Sequence, residues 1–259
     1  MAGLTGKTPK VTYKDLLQVD NSNSGLDGTP RAIKDGEGVT SALKVSTDEV
    51  EVSPVSDSTT AFRVANSGDT EKLLVDTTNS YVKALGYHVN TQYAHFGTMS
   101  TDAIPSSADT HTAIPFGNVF GSNTEVTFGT STDPATSLTI STTADDVLCV
   151  IWYVPDNITV DAVHVWAGGS ASTGDTIKFH LMSYTIVTAD GVTCGDLSSG
   201  TVIADGANIT HDGYEQADYQ LMTIQSSDID AGKAVLFMIH SNGTNSDYTC
   251  NATVKYHLR

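Results

Sequence analysis

The acidic, histidine and cysteine side chains decide what chemistry this chain could do, so their spacing comes first. The 259 residues include 30 Asp and Glu, 13 Lys and Arg, 8 His and 3 Cys. Two acid pairs stand out, Asp145-Asp146 and Asp228-Ile229-Asp230. A glycosidase needs two carboxylates at a set separation, and that separation is three-dimensional, so the sequence singles out no pair. Acids at strand ends ordinarily cap turns, and Asp228 to Lys233 reads as a turn feeding a strand at Val235. A calcium loop needs more oxygen ligands at regular spacing than Asp228 and Asp230 offer. His88, His95 and His111 have no second ligand at metal spacing, so neither a metal nor a cofactor is expected. Cys149, Cys194 and Cys250 are an odd set without a CxxC spacing. Cys149 and Cys250 fall in apolar, strand-like runs and read as small core hydrophobes. GxSxG, HExxH, GxxxxGK[ST] and a helix-opening GxGxxG are all missing. No catalytic residue is assigned, and a non-enzyme is expected.

Recognition is a better match to the residues. Two polar segments mix Tyr and His with Asn, Gly and Ser, the mixture that binding loops favour: residues 211–219 and 241–248. Their candidate ligand-binding side chains are His211, Tyr214, Tyr219, Asn242, Asn245 and Tyr248, although any β-domain has loops of this composition. Trp152 and Trp166 both lie in predicted strands and read as core. Four Asn-x-Thr sequons, at Asn157, Asn208, Asn242 and Asn251, are chance matches in a Thr-rich chain.

Charge narrows the partners. The net charge is −17 and Lys and Arg are scarce. Nucleic-acid binding neutralises phosphates with a basic surface, so no nucleic acid is expected. An anionic membrane surface is disfavoured for the same reason. The longest strongly apolar run, residues 147–154, is far short of the ~20 residues of a spanning helix, so no membrane insertion is expected. The first residues have no apolar stretch of the secretory type, which implies a protein made in a cytosol and released by lysis or kept there.

The elements that must position these residues are strands. Residues 1–40 are polar, rich in Gly, Asp and Asn, with one predicted helical turn over 12–19 capped by Thr12. Its apolar cluster of Tyr13, Leu16, Leu17 and Val19 is the candidate docking surface of a segment that has little core of its own. Residues 41–88 carry a repeat. Ser41-Ala42-Leu43-Lys44-Val45-Ser46 recurs as Thr60-Ala61-Phe62-Arg63-Val64-Ala65, each copy predicting strand, polar turn and strand. A unit this thin cannot bury its apolar face alone and needs stacked neighbours or identical chains. Residues 89–117 lack periodicity and read as an extended linker, with Ile104-Pro105 and Ile114-Pro115. Residues 118–259 predict a compact all-β domain, a β-sandwich or jelly roll, with strands at 124–128, 136–142, 147–154, 158–166, 176–187, 201–204, 219–225, 234–241 and 248–258.

Taken together, these blocks resemble the fibre-type proteins of tailed bacteriophages, marine ones especially. The resemblance rests on Tyr13 to Gly25, on Asp35-Gly36-Glu37-Gly38 with Ser41 to Thr47, and on Phe62-Arg63-Val64-Ala65-Asn66 with Leu74 to Asn79. It extends to Ile158 to Trp166, Ser227 to Gly232 and Ala252 to Leu258. It implies an all-β homotrimer: a virion-docking segment (1–40), an intertwined β-repeat shaft (41–88), a linker (89–117) and a jelly-roll-like distal domain (118–259). It further implies assembly in the host cytoplasm, residence on the virion, and contact with tail or portal/adaptor proteins or with the major capsid protein. The distal domain of a short tail fibre would adhere to a host-surface glycan or protein. A capsid head fibre or decoration (cement) protein is the alternative, and a carbohydrate-active enzyme a third.

Overall fold

Polar side chains set where the first strands stop. Asp35 Oδ1 accepts the backbone N–H groups of Glu37 and Val39 at 2.9 and 2.8 Å. Asn66 Oδ1 does the same for Gly68 and Thr70 at 3.1 and 2.8 Å. Each satisfies in a turn the donors that a ladder would otherwise use. The computed structural model describes residues 16–22, 24–97, 107–117, 125–140, 144–170, 172–243 and 247–259. It divides into two units, residues 1–89 and 90–259.

The first unit holds two antiparallel sheets paired in chain order. One contains β1 (Gln18–Val19), β2 (Arg31–Lys34), β3 (Thr40–Val45) and β4 (Val50–Val52); the other β5 (Phe62–Ala65), β6 (Glu71–Asp76), β7 (Tyr81–Ala84) and β8 (Tyr87–His88). The two repeat copies do form hairpins of like design, β3–β4 and β5–β6. Lys44 pairs with Glu51 across the first at 2.7 Å, and Arg63 with Asp69 at the turn of the second at 2.8 Å. The copies are not equivalent, however. β3 is flanked by β2 and β4, whereas β5 is an edge strand paired only with β6. The expected helical turn is corrected over its described part: Gln18 and Val19 pair with Lys34 and Ile33 as strand. Tyr13 lies outside the described residues; Leu16 and Leu17 are exposed and Val19 half-buried. The described part of this unit has almost no core. Of its described residues only Leu74 and Asp76 are buried, while Val50, Phe62 and Val64 remain exposed.

The second unit is built otherwise. Its strands are β9 (Thr91–Gly97), β10 (Thr110–Ile114), β11 (Trp152–Val154), β12 (Ile158–Ser170), β13 (Thr176–Ile186), β14 (Leu197–Asp205), β15 (Ile209–Thr210), β16 (Gln216–Leu221), β17 (Thr223–Ile224), β18 (Asp228–Ile229), β19 (Lys233–Ser241) and β20 (Asp247–Leu258). They form two antiparallel sheets. One runs β16-β12-β20-β9 with β18 beside β12; the other runs β10-β19-β13-β14-β17 with β11 beside β19 and β15 beside β13. The sheets share one core, in which Val163, Val165 and Val254 of the first meet Phe179, Leu181 and Phe237 of the second. Aromatic rings bind it together: Phe237 lies 5.7 Å from Phe179 and 5.9 Å from Phe96, centroid to centroid. A register shift between Val160 and Ala162 lets Val160 and Val163 both point inward.

The larger sheet is buried on both faces, so its strands read as continuous apolar runs rather than alternating ones. On its far side Met182, Tyr184, Leu236 and Met238 pack beneath Val126, Phe128, Val147 and Val150. Residues 147–154 are therefore not one strand. They belong to a helix, α1 (Ala144–Val150), followed by β11. Val147 and Val150 bury one helical face while Leu148 is exposed, and Asp145 and Asp146 fall in the first turn, where the helix dipole favours acids. Cys149 is accordingly a half-buried helical residue. The expected linker over 89–117 is corrected as well. β9 pairs with β20 and β10 with β19, so both belong to the sheets. Among the described residues the class is all-β, with 52% in strands, 3% in helix and no closed barrel.

Candidate functional site

The smaller sheet has one face in the core and the other in solvent. Alternation along β12 puts Val163, Val165 and Ala167 inside, and hence His164, Trp166 and Gly168 outside. Register then fixes their neighbours. His164 stands opposite Leu221 of β16 and Thr253 of β20, and Thr253 opposite His95 of β9. One row on, Trp166 stands opposite Tyr219 and Asn251. At about 4.8 Å between strands, four strands give a platform roughly 14 Å wide.

Trp166, Tyr219 and Leu221 are 57%, 50% and 56% exposed, which is unusual for large apolar side chains placed side by side. The rings hold one another. The Tyr219 and Trp166 centroids are 5.3 Å apart at 45°, and Tyr219 lies nearly parallel to His164 at 6.1 Å. The Tyr219 hydroxyl and His164 Nδ1 share a hydrogen bond of 2.8 Å, which fixes the phenol's direction. His95 Nδ1 and Thr253 Oγ1 share another at 3.2 Å. Small residues, Gly168 and Ala217, leave open ground beside the rings. Flat, rigid rings flanked by hydroxyl, amide and imidazole groups suit a ligand with one apolar face and a hydroxylated rim.

The loop residues expected to bind ligand are largely elsewhere. His211 and Tyr248 are buried and packed edge to face at 5.1 Å, so neither meets solvent. Tyr248 lies in β20 opposite Gly169, and its burial, with Asp175 and Asp218 near, raises its hydroxyl pKa. Asn242 ties the end of β19 to the start of β13, its Oδ1 accepting the Thr176 N–H at 2.6 Å. Tyr214 is exposed on a loop, and Asn245 lies outside the described residues. Tyr219 alone of the expected set joins the aromatic face. Trp166, read from the sequence as core, is instead exposed, and His164 and Leu221 were missed, though the signal was in the sequence: a Trp two residues from an outward His, between inward Val165 and Ala167, must itself point outward. Among the described residues, Asp133, His180 and Asp205 form a group able to share a cation, at the larger sheet. No protein-family model matches the chain, and no curated protein matches it in sequence.

Proposed function

We propose that the chain is one subunit of a homotrimeric, fibre-type virion protein with an adhesive rather than catalytic role. Residues 1–89 assemble with two further copies into a short shaft and dock on the virion; residues 90–259 form a jelly-roll-like distal domain. The exposed aromatic face of that domain binds a glycan of the host surface through Trp166 and Tyr219, with Asn251, Thr253 and His95 bonding to hydroxyl groups.

The observation that carries this reading is the contrast between the two units. The second unit has two hydrophobic clusters of its own. In the first, single-layer sheets leave Leu43, Val50, Val52, Phe62 and Val64 uncovered. A sheet with one bare apolar face does not stand alone in water. Further copies of the same chain supply the missing layer and also cover the edges of β4 and β5.

Limited trypsin digestion over a dilution series tests the reading. Lys34, Arg63, Lys72 and Lys83 should resist cleavage at working concentration and become labile on dilution. Immediate cleavage at these positions at every concentration, with residues 90–259 intact, would overturn it.

A further inference from the structure

A second constellation lies on the larger sheet, on the face turned away from the smaller one. Four adjacent strands and one loop contribute to it. His111 (β10) is opposite His240 (β19), His240 is opposite Lys178 (β13), and His180 (β13) is opposite Asp205 (β14). The loop around Asp133 comes down beside them, 4.0 Å from Lys178 Nζ at the Asp133 carboxylate.

The hydrogen bonds orient His180. Gly129 O can only accept, so the His111 Nδ1 at 3.2 Å from it carries a hydrogen. The other His111 nitrogen, Nε2, lies 3.3 Å from His180 Nε2. With both rings fully buried and in contact, the charged form of either imidazole is disfavoured, so neutral His111 accepts there and neutral His180 donates. That leaves a lone pair on His180 Nδ1, with Asp205 Oδ1 2.9 Å from that nitrogen. Neither atom has a hydrogen-bond partner despite that distance, because the oxygen lies off the line a ring N–H would take. A hydrogen bond needs the oxygen on that line. Two donors on one metal ion, each ~2.1 Å from it at a right angle, sit about 3.0 Å apart with each off the other's axis. The spacing and the misalignment both fit shared coordination.

We propose that Asp133, His180 and Asp205 form a divalent-cation site that clasps the 130–135 loop onto the sheet. Their ligand atoms all lie within 4.8 Å of one another, and Asp133, 58% exposed, swings in to close the set. One imidazole and two carboxylates suit Zn²⁺ or Mn²⁺; Ca²⁺ and Mg²⁺ take all-oxygen sets. Lys178 Nζ, which donates to Asp205 Oδ2 at 3.1 Å, is the competing cation and turns out to solvent when metal binds.

The test is a titration of the full chain, stripped with EDTA, by Zn²⁺ alone, read by calorimetry and by Tm. One ion per chain should bind. At about 100-fold excess over Kd, Tm should rise by roughly 5–10 °C. Asp133→Asn, at an exposed loop position that leaves the fold intact, should weaken binding by at least about tenfold, and Asp205→Asn likewise. Lys178→Met should tighten it by up to about tenfold. Asp161→Asn, on the other sheet, should change nothing. Failure of Zn²⁺ and Mn²⁺ to bind, or full retention of binding and Tm rise in Asp133→Asn and Asp205→Asn, would overturn the site.

Discussion

Trp166 and Phe237 show how differently two aromatic residues of one domain behave. Phe237 is fully buried between the sheets, and Phe237→Ala should cost about 3–5 kcal/mol, measured by denaturant unfolding. Trp166 faces water, so Trp166→Ala should change stability by no more than about 0.5 kcal/mol. The same substitution should weaken binding on a carbohydrate array by about 2 kcal/mol, roughly 30-fold, and Tyr219→Ala should act similarly. Unchanged array binding would dissociate the aromatic face from adhesion. The cysteines give a pH-dependent prediction. Burial pushes the Cys250 thiol up to about 12 from its ordinary 9. Between those values the unfolded chain ionises and the folded chain does not, so this thiol leaves stability flat below pH 9 and lowers it as pH rises further. In iodoacetamide labelling at pH 8, exposed Cys194 should react and Cys250 should react only after unfolding. The outward place of Trp166 was legible from the parity of Val163 and Val165. The meeting of His180 with Asp205 was not, because 25 positions and a strand pairing separate them.

Among the elements, the long strands were readable and the short covering pieces were not. Strands β12, β13, β19 and β20 fall where alternating or continuous apolar runs predict them. The helix α1 escaped because an eight-residue apolar run has no period long enough to separate helix from strand. β9 and β10 escaped because their partners, β20 and β19, lie more than a hundred residues away. The segment before α1 is held to the sheet by Tyr184, whose hydroxyl donates to Ala135 O at 2.8 Å. Gly200 is needed here: a Cβ on it would lie 2.6 Å from the Tyr184 ring and 2.8 Å from the Thr136 backbone. Gly200→Val should therefore destabilise by about 1–3 kcal/mol, with faster proteolysis of residues 125–140 as the local readout. If proteolysis there is unchanged, Tyr184 does not anchor that segment.

At the scale of the whole molecule, charge and hydrophobic surface oppose each other. Each chain carries −17, so copies repel, while the bare faces of the first unit favour association. Screening decides the balance at low salt, where the Debye length reaches ~30 Å at 0.01 M against ~10 Å at 0.1 M. Assembly should accordingly strengthen as salt rises, the reverse of a partnership held by ion pairs. The most direct measurement is the mass of the full chain by sedimentation equilibrium at moderate salt. The proposed fibre subunit should sediment at three times its 27.3 kDa, about 82 kDa, and move toward the single-chain mass only at low salt or high dilution. A species of 27.3 kDa at all salt and protein concentrations would contradict the trimer, and with it the shaft.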